Sequence, residues 1–397
     1  MNGTEGDDFL TGGPGADVIN GLGGRDRING NPGADQLFGG DGDDTLYDGT
    51  LFFTLSGAMT HESDNVRDVL DGGAGDDTLH GTTLDAFVGG TGTDTAFIGL
   101  GNVNGATLDL RVLDAGGTLA LPFGGSVTGV EIIRFAQFGT GVWVYHGRSG
   151  ADEVDGGSGS STLYGYGGND QLRIGSGGGT AFGGEGDDTL ISSFGNAVLV
   201  GGLGNDSIQG AFFGRDTISY ADASGAVDVN LITGAASGAD GNDTLSGIDI
   251  VIGSEFNDTL RGPNVPASSP PFPLPTPVLE GRGGDDTLFA GTAAQDLLGG
   301  AGADMLHAGA GANLLDGGVG RDTAAFAGLS SSAVFGRLGN GALTVTPQGE
   351  PQDTLTSVEF LQFTDRTLAT RPSEGSLDGD GTSDILLRSG SGQLAAW

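Results

Sequence analysis

From Gly3 to Tyr47 the chain repeats itself every nine residues, five times without a break: GTEGDDFLT, GGPGADVIN, GLGGRDRIN, GNPGADQLF and GGDGDDTLY. Each repeat opens on glycine, carries an aspartate at its sixth place (Asp8, Asp17, Asp26, Asp35, Asp44) and has an aliphatic residue at its eighth (Leu10, Ile19, Ile28, Leu37, Leu46). A unit this short cannot hold a helix and a return. The glycines supply a turn, because they tolerate positive φ and close backbone approach. The last three residues supply a short strand whose middle side chain alone points to one face. One repeat is therefore half a coil, two bring the chain back to the same edge, and no repeat completes a core by itself. The pattern predicts an all-β chain built from parallel β-roll (β-solenoid) segments.

The same spacing gathers one kind of ligand. Backbone carbonyls brought together by the glycine turns and a carboxylate from the sixth place converge on each edge, between repeats two apart. Ca²⁺ prefers such hard oxygen donors, about six to eight of them at roughly 2.3–2.6 Å. The expected cofactor is Ca²⁺, in several copies.

Composition narrows the alternatives. Of 397 residues 82 are glycine, far above the usual share of about 7%, and the excess follows the repeats. The net charge is −37, from 52 acidic and 15 basic side chains, and every basic residue is arginine. Such a chain repels itself until cations arrive, and nucleic acid is a poor partner for it. Without cysteine no disulfide can staple the coils, which leaves the metal to do so. No stretch reaches the roughly 18 apolar residues of a membrane span, and no charged-then-apolar leader opens the sequence. The first repeat begins at residue 3 with nothing ahead of it to cap a coil, which suggests a fragment or a truncated reading frame.

The nonapeptide GGxGxDxUx, which the five opening repeats follow with Thr4, Leu22 and Asn31 in place of the second glycine, is similar to that of the repeats-in-toxin (RTX) proteins, the hemolysin-type calcium-binding repeats. The resemblance implies a bacterial protein secreted to the extracellular space through type I secretion machinery, with an uncleaved C-terminal signal. Calcium ions are then its first partners, with an extracellular glycan or a cell surface as a further one.

Further repeats come in clusters. A first roll is expected over 1–98 with an insertion at 48–66, and GGAGDDTLH and GGTGTDTAF add Asp77 and Asp94. Residues 99–146 lose the glycine register and show alternating apolar stretches (ATLDLRVL, VEIIRF, VWVYH), which predicts a cap of antiparallel strands. A second roll spans 147–262. In its first part Asp152, Asp170, Asp188 and Asp206 recur on alternate repeats, while Ser161, Gly179 and Ala197 hold the intervening sixth places. Alternate repeats share an edge, so one edge is expected to carry calcium and the other to be nearly bare. Residues 217–252 resemble the bridging strands of RTX and serralysin-like C-terminal regions, and Asp216, Asp243 and Asp258 are further candidate ligands.

Seven prolines in 263–277 cannot enter a sheet interior and predict an exposed linker over 263–280. The third roll, 281–325, offers Asp286, Asp296, Asp304 and Asp322, with Asn313 substituting once. Residues 326–370 are expected to close it as a strand cap, and 127–135 resembles a second copy of that closing stretch. The tail, 371–397, resembles a partial FG-GAP or VCBS-type repeat, with Asp378, Asp380 and Asp384 at calcium-ligand places and Ser376 where a first aspartate belongs.

No catalytic constellation emerges. His61 and Glu62 lack the second histidine of a zincin, no G-x-S-x-G elbow occurs, and a phosphate-binding P-loop is impossible without lysine. Doubled acids such as Asp43 and Asp44 recur at fifth and sixth places, which suits metal binding or turn solvation better than acid–base work. Three functions fit: a non-catalytic calcium-dependent folding module, the C-terminal targeting region of an RTX enzyme such as a serralysin-like protease, lipase or alginate epimerase, or a surface adhesion protein. For the last the aromatics Phe52, Phe53, Phe212 and Phe213 are the feature to inspect, although core packing is their expected role.

Overall fold

The computed structural model describes residues 1–53, 59–62, 66–99, 105–136, 141–156, 159–264, 276–370, 385–388 and 394–396. The chain divides into two units, Met1–Leu203 with Ala211–Gly214, and Gly204–Gly210 with Arg215–Trp397. Both are all-β. Among the described residues helix is confined to one turn, Arg111–Asp114, and two 3₁₀ turns, and none is long and apolar enough to cross a membrane.

In the first unit, odd-numbered repeats stack into one parallel sheet. Phe9–Thr11, Arg27–Asn29, Thr45–Tyr47, Thr78–Thr82, Thr95–Gly99, Ile132–Ala136, Glu153–Asp155, Gln171–Ile174 and Thr189–Ser192 pair in that order. Even-numbered repeats form the opposite face, first as Val18–Gly23, Gln36–Asp41, Val69–Ala74, Ala86–Thr91 and Ser126–Thr128. Further on, that face is Thr107–Asp109, Val142–His146, Ser160–Gly167, Gly179–Glu185 and Ala197–Leu203, again parallel. The core is the narrow space between the faces, filled by eighth-place residues: Ile19, Ile28, Leu37, Leu46, Leu79 and Leu190 are fully buried.

Residues 99–146 depart from expectation. Among its described residues only Leu119–Ala120 runs antiparallel, against Ser126–Thr128. The stretches Thr107–Asp109, Ile132–Ala136 and Val142–His146 pair in parallel and continue the roll. Apolar alternation marks a strand with one buried face, but it is silent on the direction of the neighbour. Exposure also overturns the packing expected of one aromatic pair, because Phe212 is 84% exposed and Phe213 52%. The side chains of Phe52 and Phe53 and the tail aspartates Asp378, Asp380 and Asp384 lie outside the described residues.

The second unit repeats the plan with antiparallel additions. Val227–Asn230, Thr259–Arg261, Thr287–Phe289, Met305–His307, Thr323–Ala325 and Phe360–Gln362 stack in parallel, and Thr367–Thr370 adds an antiparallel strand. Ala235–Gly238 lies antiparallel between Val227–Asn230 and Asn242–Ser246. The other face runs Thr217–Ser219, Ile250–Ile252, Val278–Gly283, Asp296–Gly302, Leu314–Gly320 and Asp353–Thr356. Leu343–Thr346 and Val334–Arg337 follow it in antiparallel sense. Val278 already belongs to a roll strand and Leu279 is fully buried, so the roll resumes inside the stretch expected to be linker.

Each core residue contacts its counterparts one coil above and below. Leu288→Ala, at a fully buried eighth place, is expected to cost about 2–5 kcal/mol. Chemical denaturation of the calcium-loaded protein measures it.

Candidate metal centres

The sixth-place aspartate is the last turn residue before its strand, and its backbone already serves the sheet: the carbonyls of Asp8 and Asp26 accept from the amides of Arg27 and Thr45, each at 2.9 Å. Its side chain then joins coil to coil. The amide of Asp8 donates to Oδ1 of Asp26 at 2.8 Å, that of Asp26 to Asp44 at 2.7 Å, that of Asp44 to Asp77 at 2.8 Å and that of Asp77 to Asp94 at 2.9 Å. On the other edge Asp17 donates to Asp35 at 2.8 Å, Asp35 to Asp68 at 2.6 Å and Asp68 to Asp85 at 2.9 Å. The ladder recurs from Asp152 to Asp170 and Asp188, both steps at 2.7 Å. In the second unit it links Asp206 to Asp243 at 3.0 Å, and runs from Asp258 through Asp286 and Asp304 to Asp322 at 2.7–2.9 Å.

That ladder uses one carboxylate oxygen. The other, Oδ2, is buried without a hydrogen-bond partner at Asp26, Asp44, Asp77, Asp94, Asp170, Asp286, Asp304 and Asp322. Around it the glycine turn closes tightly. At the coil of Asp44, a β-carbon on Gly39 would overlap Asp44 Oδ2 and the Gly72 carbonyl, one on Gly40 the Leu22 carbonyl, and one on Gly42 the Gly24 carbonyl. Gly40 and Gly42 also sit at φ +115° and +124°, where a side chain is strained. The absent β-carbons thus leave an edge lined by main-chain carbonyls and a bare carboxylate oxygen. This all-oxygen set fits Ca²⁺. In the metal-free fold burial pushes the carboxyls up, partly offset by the amide each accepts and reinforced by neighbouring acidic side chains. Asp44, Asp94 and Asp304 rise to about 6, Asp77 and Asp170 to about 7 and Asp286 to about 8.

The RTX calcium-binding nonapeptide repeat model (4 copies) matches residues 1–28, 20–49, 65–83, 146–181, 174–208, 243–262, 278–294 and 291–324, together about half of the chain. The chain is an RTX repeat protein. No curated protein matches its sequence. Among solved structures, the extracellular lipase LipA from Serratia marcescens is 18% identical, with 55% of this chain and 38% of that one covered and a TM-score of 0.21. So loose a likeness carries no argument about this chain.

Doubled acids in the RTX repeats divide their work. The fifth-place side chain accepts from the following coil, the reverse of the sixth: Asp7 Oδ1 from the Arg25 amide at 2.9 Å, Asp76 Oδ1 from Thr93 at 2.8 Å, and Asp285 Oδ1 from Ala303 at 2.8 Å. These groups are exposed, and Arg25 also bridges to Asp43 at 2.7 Å.

Not every candidate aspartate keeps a bare oxygen. Oδ2 of Asp8, Asp17 and Asp258 accepts from the second-place amide of its own turn (Thr4, Gly13 and Ser254) at 2.5–2.6 Å. Asp243 Oδ2 accepts from the Tyr220 hydroxyl at 2.8 Å, and both oxygens of Asp152 are taken by Arg148. The Asp216 amide donates to Asp249 Oδ2 at 3.0 Å.

Asp296 is a correction. It begins a strand beside Val278 and Leu314, and the sixth place is held by fully buried Gln295. The Gln295 amide donates to Asn313 Oδ1 at 2.9 Å, and the Asn313 amide donates to Asp353 Oδ1 at 2.8 Å. On the edge of Ser161, Gly179 and Ala197 a main-chain carbonyl replaces the carboxylate: Ser161 donates to Gly178 O and Gly179 to Asn196 O, each at 3.1 Å.

Sequence reasoning missed Asp48, Asp68 and Asp85, three buried carboxylates with ligand atoms within 4.8 Å of one another. Asp68 lies in a repeat without opening glycines and Asp85 follows it by seventeen residues rather than eighteen, so neither fits the nonapeptide. Glu131 and Glu359 were also missed. Their Oε2 atoms accept from Asp94 and Asp322 at 2.9 Å and end two ladders, and the shared V-E-x-Φ context of VEIIRF and VEFLQF is the signal that finds them.

The raised carboxyls fix a pH dependence. Their folded values lie above the unfolded 3.8, so the metal-free fold binds more protons than the unfolded chain; the resulting stability is complete below about pH 4 and is lost as pH rises through 6 to 8. In EGTA the strand signal in circular dichroism is therefore expected to be stronger at pH 5 than at pH 8, with calcium restoring it at pH 8.

Proposed function

We propose that this chain is a secreted, non-catalytic module that folds outside the cell when it binds calcium. The observation that carries the reading is the row of buried, bare Oδ2 atoms on stacked coils. An ionised carboxylate buried without a counter-charge costs several kcal/mol, so the coils repel until a cation joins them. Binding free energy then becomes folding free energy. Where calcium is scarce, as in a cytosol, the chain stays open and can pass through type I secretion machinery. Outside, affinities of about 10⁻⁴–10⁻³ M suffice. We assign Asp26, Asp44, Asp77, Asp94, Asp170, Asp188, Asp286, Asp304 and Asp322 as the carboxylate ligands. Over 147–209 calcium is held on the edge of Asp170 and Asp188, while the opposite edge closes through its main chain.

The three histidines whose side chains are described support a non-catalytic reading. His80 stacks on Tyr47 and Phe97 at 4.7 and 4.6 Å, His146 on Tyr164 at 5.0 Å, and His307 on Phe289 at 4.2 Å.

Circular dichroism at pH 7.5 in EGTA, then in millimolar Ca²⁺, tests the proposal. The expected result is a coil spectrum converting cooperatively to a strand spectrum. Full strand signal in EGTA would contradict it.

A further inference from the structure

Arg148 occupies the second place of the repeat GRSGADEVD, where Gly40, Gly73, Gly184 and Gly300 stand in other coils. Those glycines have φ between +107° and +120°. The other arginine at a second place, Arg282, also takes positive φ (+76°) and turns outward to pair with Glu255 at 2.7 Å. Arg148 has no positive φ, and its chain turns inward until it is only 8% exposed.

Its donors meet the ligand set of an edge site. The amide donates to Asp152 Oδ2 at 2.7 Å and Nε to Asp152 Oδ1 at 2.8 Å. Nη1 donates to the Val130 carbonyl at 3.1 Å, and Nη2 donates to the carbonyls of Glu131 and, at 3.3 Å, Ala151. Three main-chain carbonyls and a carboxylate converging on one positive charge are what the other coils offer to Ca²⁺. Glu131 is where the ladder from Asp8 to Asp94 ends, and Asp152 is where the next begins.

We propose that the Arg148 guanidinium is a built-in cation standing in for calcium at this junction, so that the coil closed by Asp152 is held together without metal and takes none. The proposal rests on the calcium reading of the neighbouring coils. A planar fork with several fixed donors suits the task better than an ammonium, because it reaches carbonyls on two coils together. The junction would then stay ordered when calcium is withdrawn and offer both ladders an edge on which to re-form.

Two measurements on the full chain test this. Native mass spectrometry in saturating calcium counts bound ions: Arg148→Gly, which restores the glycine of other coils, is expected to bind one Ca²⁺ more than wild type, and Arg148→Lys the same number as wild type. Hydrogen exchange in EGTA compares peptides covering Gly147–Asp155 with those covering Gly39–Tyr47. In wild type the first set is expected to exchange about tenfold more slowly, and in Arg148→Gly as fast as the second. An unchanged ion count in an Arg148→Gly protein that folds in calcium overturns the proposal. So does equal exchange of the two regions in wild type, which decides the matter even if the glycine variant fails to fold. Wild type that binds no calcium would instead remove the reading on which the proposal stands.

Discussion

The structure turns on a conflict inside one side chain. Within a ladder the sixth-place aspartate offers Oδ1 to the amide of the preceding coil, as Asp44 does to Asp26 and Asp304 to Asp286, and this places carboxylates in a file along each edge. Parallel strands are about 4.7–4.9 Å apart, so the residue that joins the coils also sets like charges one strand spacing from one another, in a site too buried for water to screen them. Glycines cannot relieve this, because the carbonyls they admit add further negative dipoles to the same edge. In the reading proposed above, a cation between coils is the element that makes the ladder attractive, and the glycine register leaves the space for it.

The places where the pattern is broken follow the same logic. Each break either removes the charge or supplies a donor. On the edge of Ser161 and Gly179 the carboxylate is gone and a main-chain carbonyl takes the amide. At Asn313 the ladder acceptor is kept as an amide oxygen, while Nδ2 donates to the Gly311 carbonyl at 2.8 Å, so a neutral donor lies where a cation would otherwise be drawn. At Asp243 a tyrosine hydroxyl supplies the donor, and at Asp152 a guanidinium does. The eighth-place residues are indifferent to these exchanges: Leu163, Ala181 and Leu199 on the substituted edge are as buried as Leu172 and Leu190 on the acidic one. Core and metal edge are therefore separable halves of the repeat, and the roll can lose its ligands over a stretch without losing its coil.

This separability explains what could be read from the sequence. Where nine residues recur with glycines in place, register, core and candidate ligands follow directly, as from Asp8 to Asp44. The reading fails where the turn changes length or the ligand changes type. Asp85 sits in a shortened repeat, Glu131 and Glu359 reach the ladder with one more methylene, and the aspartate beside Gln295 draws attention to Asp296 although the buried position is Gln295. Pairing direction over 99–146 was hidden for another reason. A strand with one face on the core alternates in the same way whichever way its neighbour runs, and the information lay in Glu131 and Ile133, which hold sixth and eighth places without the glycines that announce them.

The outer face makes particular use of the planar cation. Ninth-place residues of successive coils stand one strand apart and directly in register, close enough for flat side chains to stack ring on ring. Tyr47, His80 and Phe97 do so in one file, and His146, Tyr164 and Phe182 in another, with rings within 10° of parallel. Only a planar cation can extend such a file. Arg134 and Arg261, themselves at ninth places, lie 5.2 Å from the Phe97 ring centre and 5.1 Å from that of Phe289, and Arg27 reaches Tyr47 from a seventh place at 5.0 Å. Guanidinium groups suit both the stack and the acidic neighbours beside it, as Arg134 pairs with Glu153 and Arg261 with Asp228. An ammonium is compact and strongly hydrated, and in a protein of charge −37 it would be held by exposed carboxylates without ordering any strand. These stacked arginines thus obey the same one-strand spacing that lines up the aspartates: on the edges it sets carboxylates in file, and on the faces it sets rings in file, capped by cations the chain carries itself.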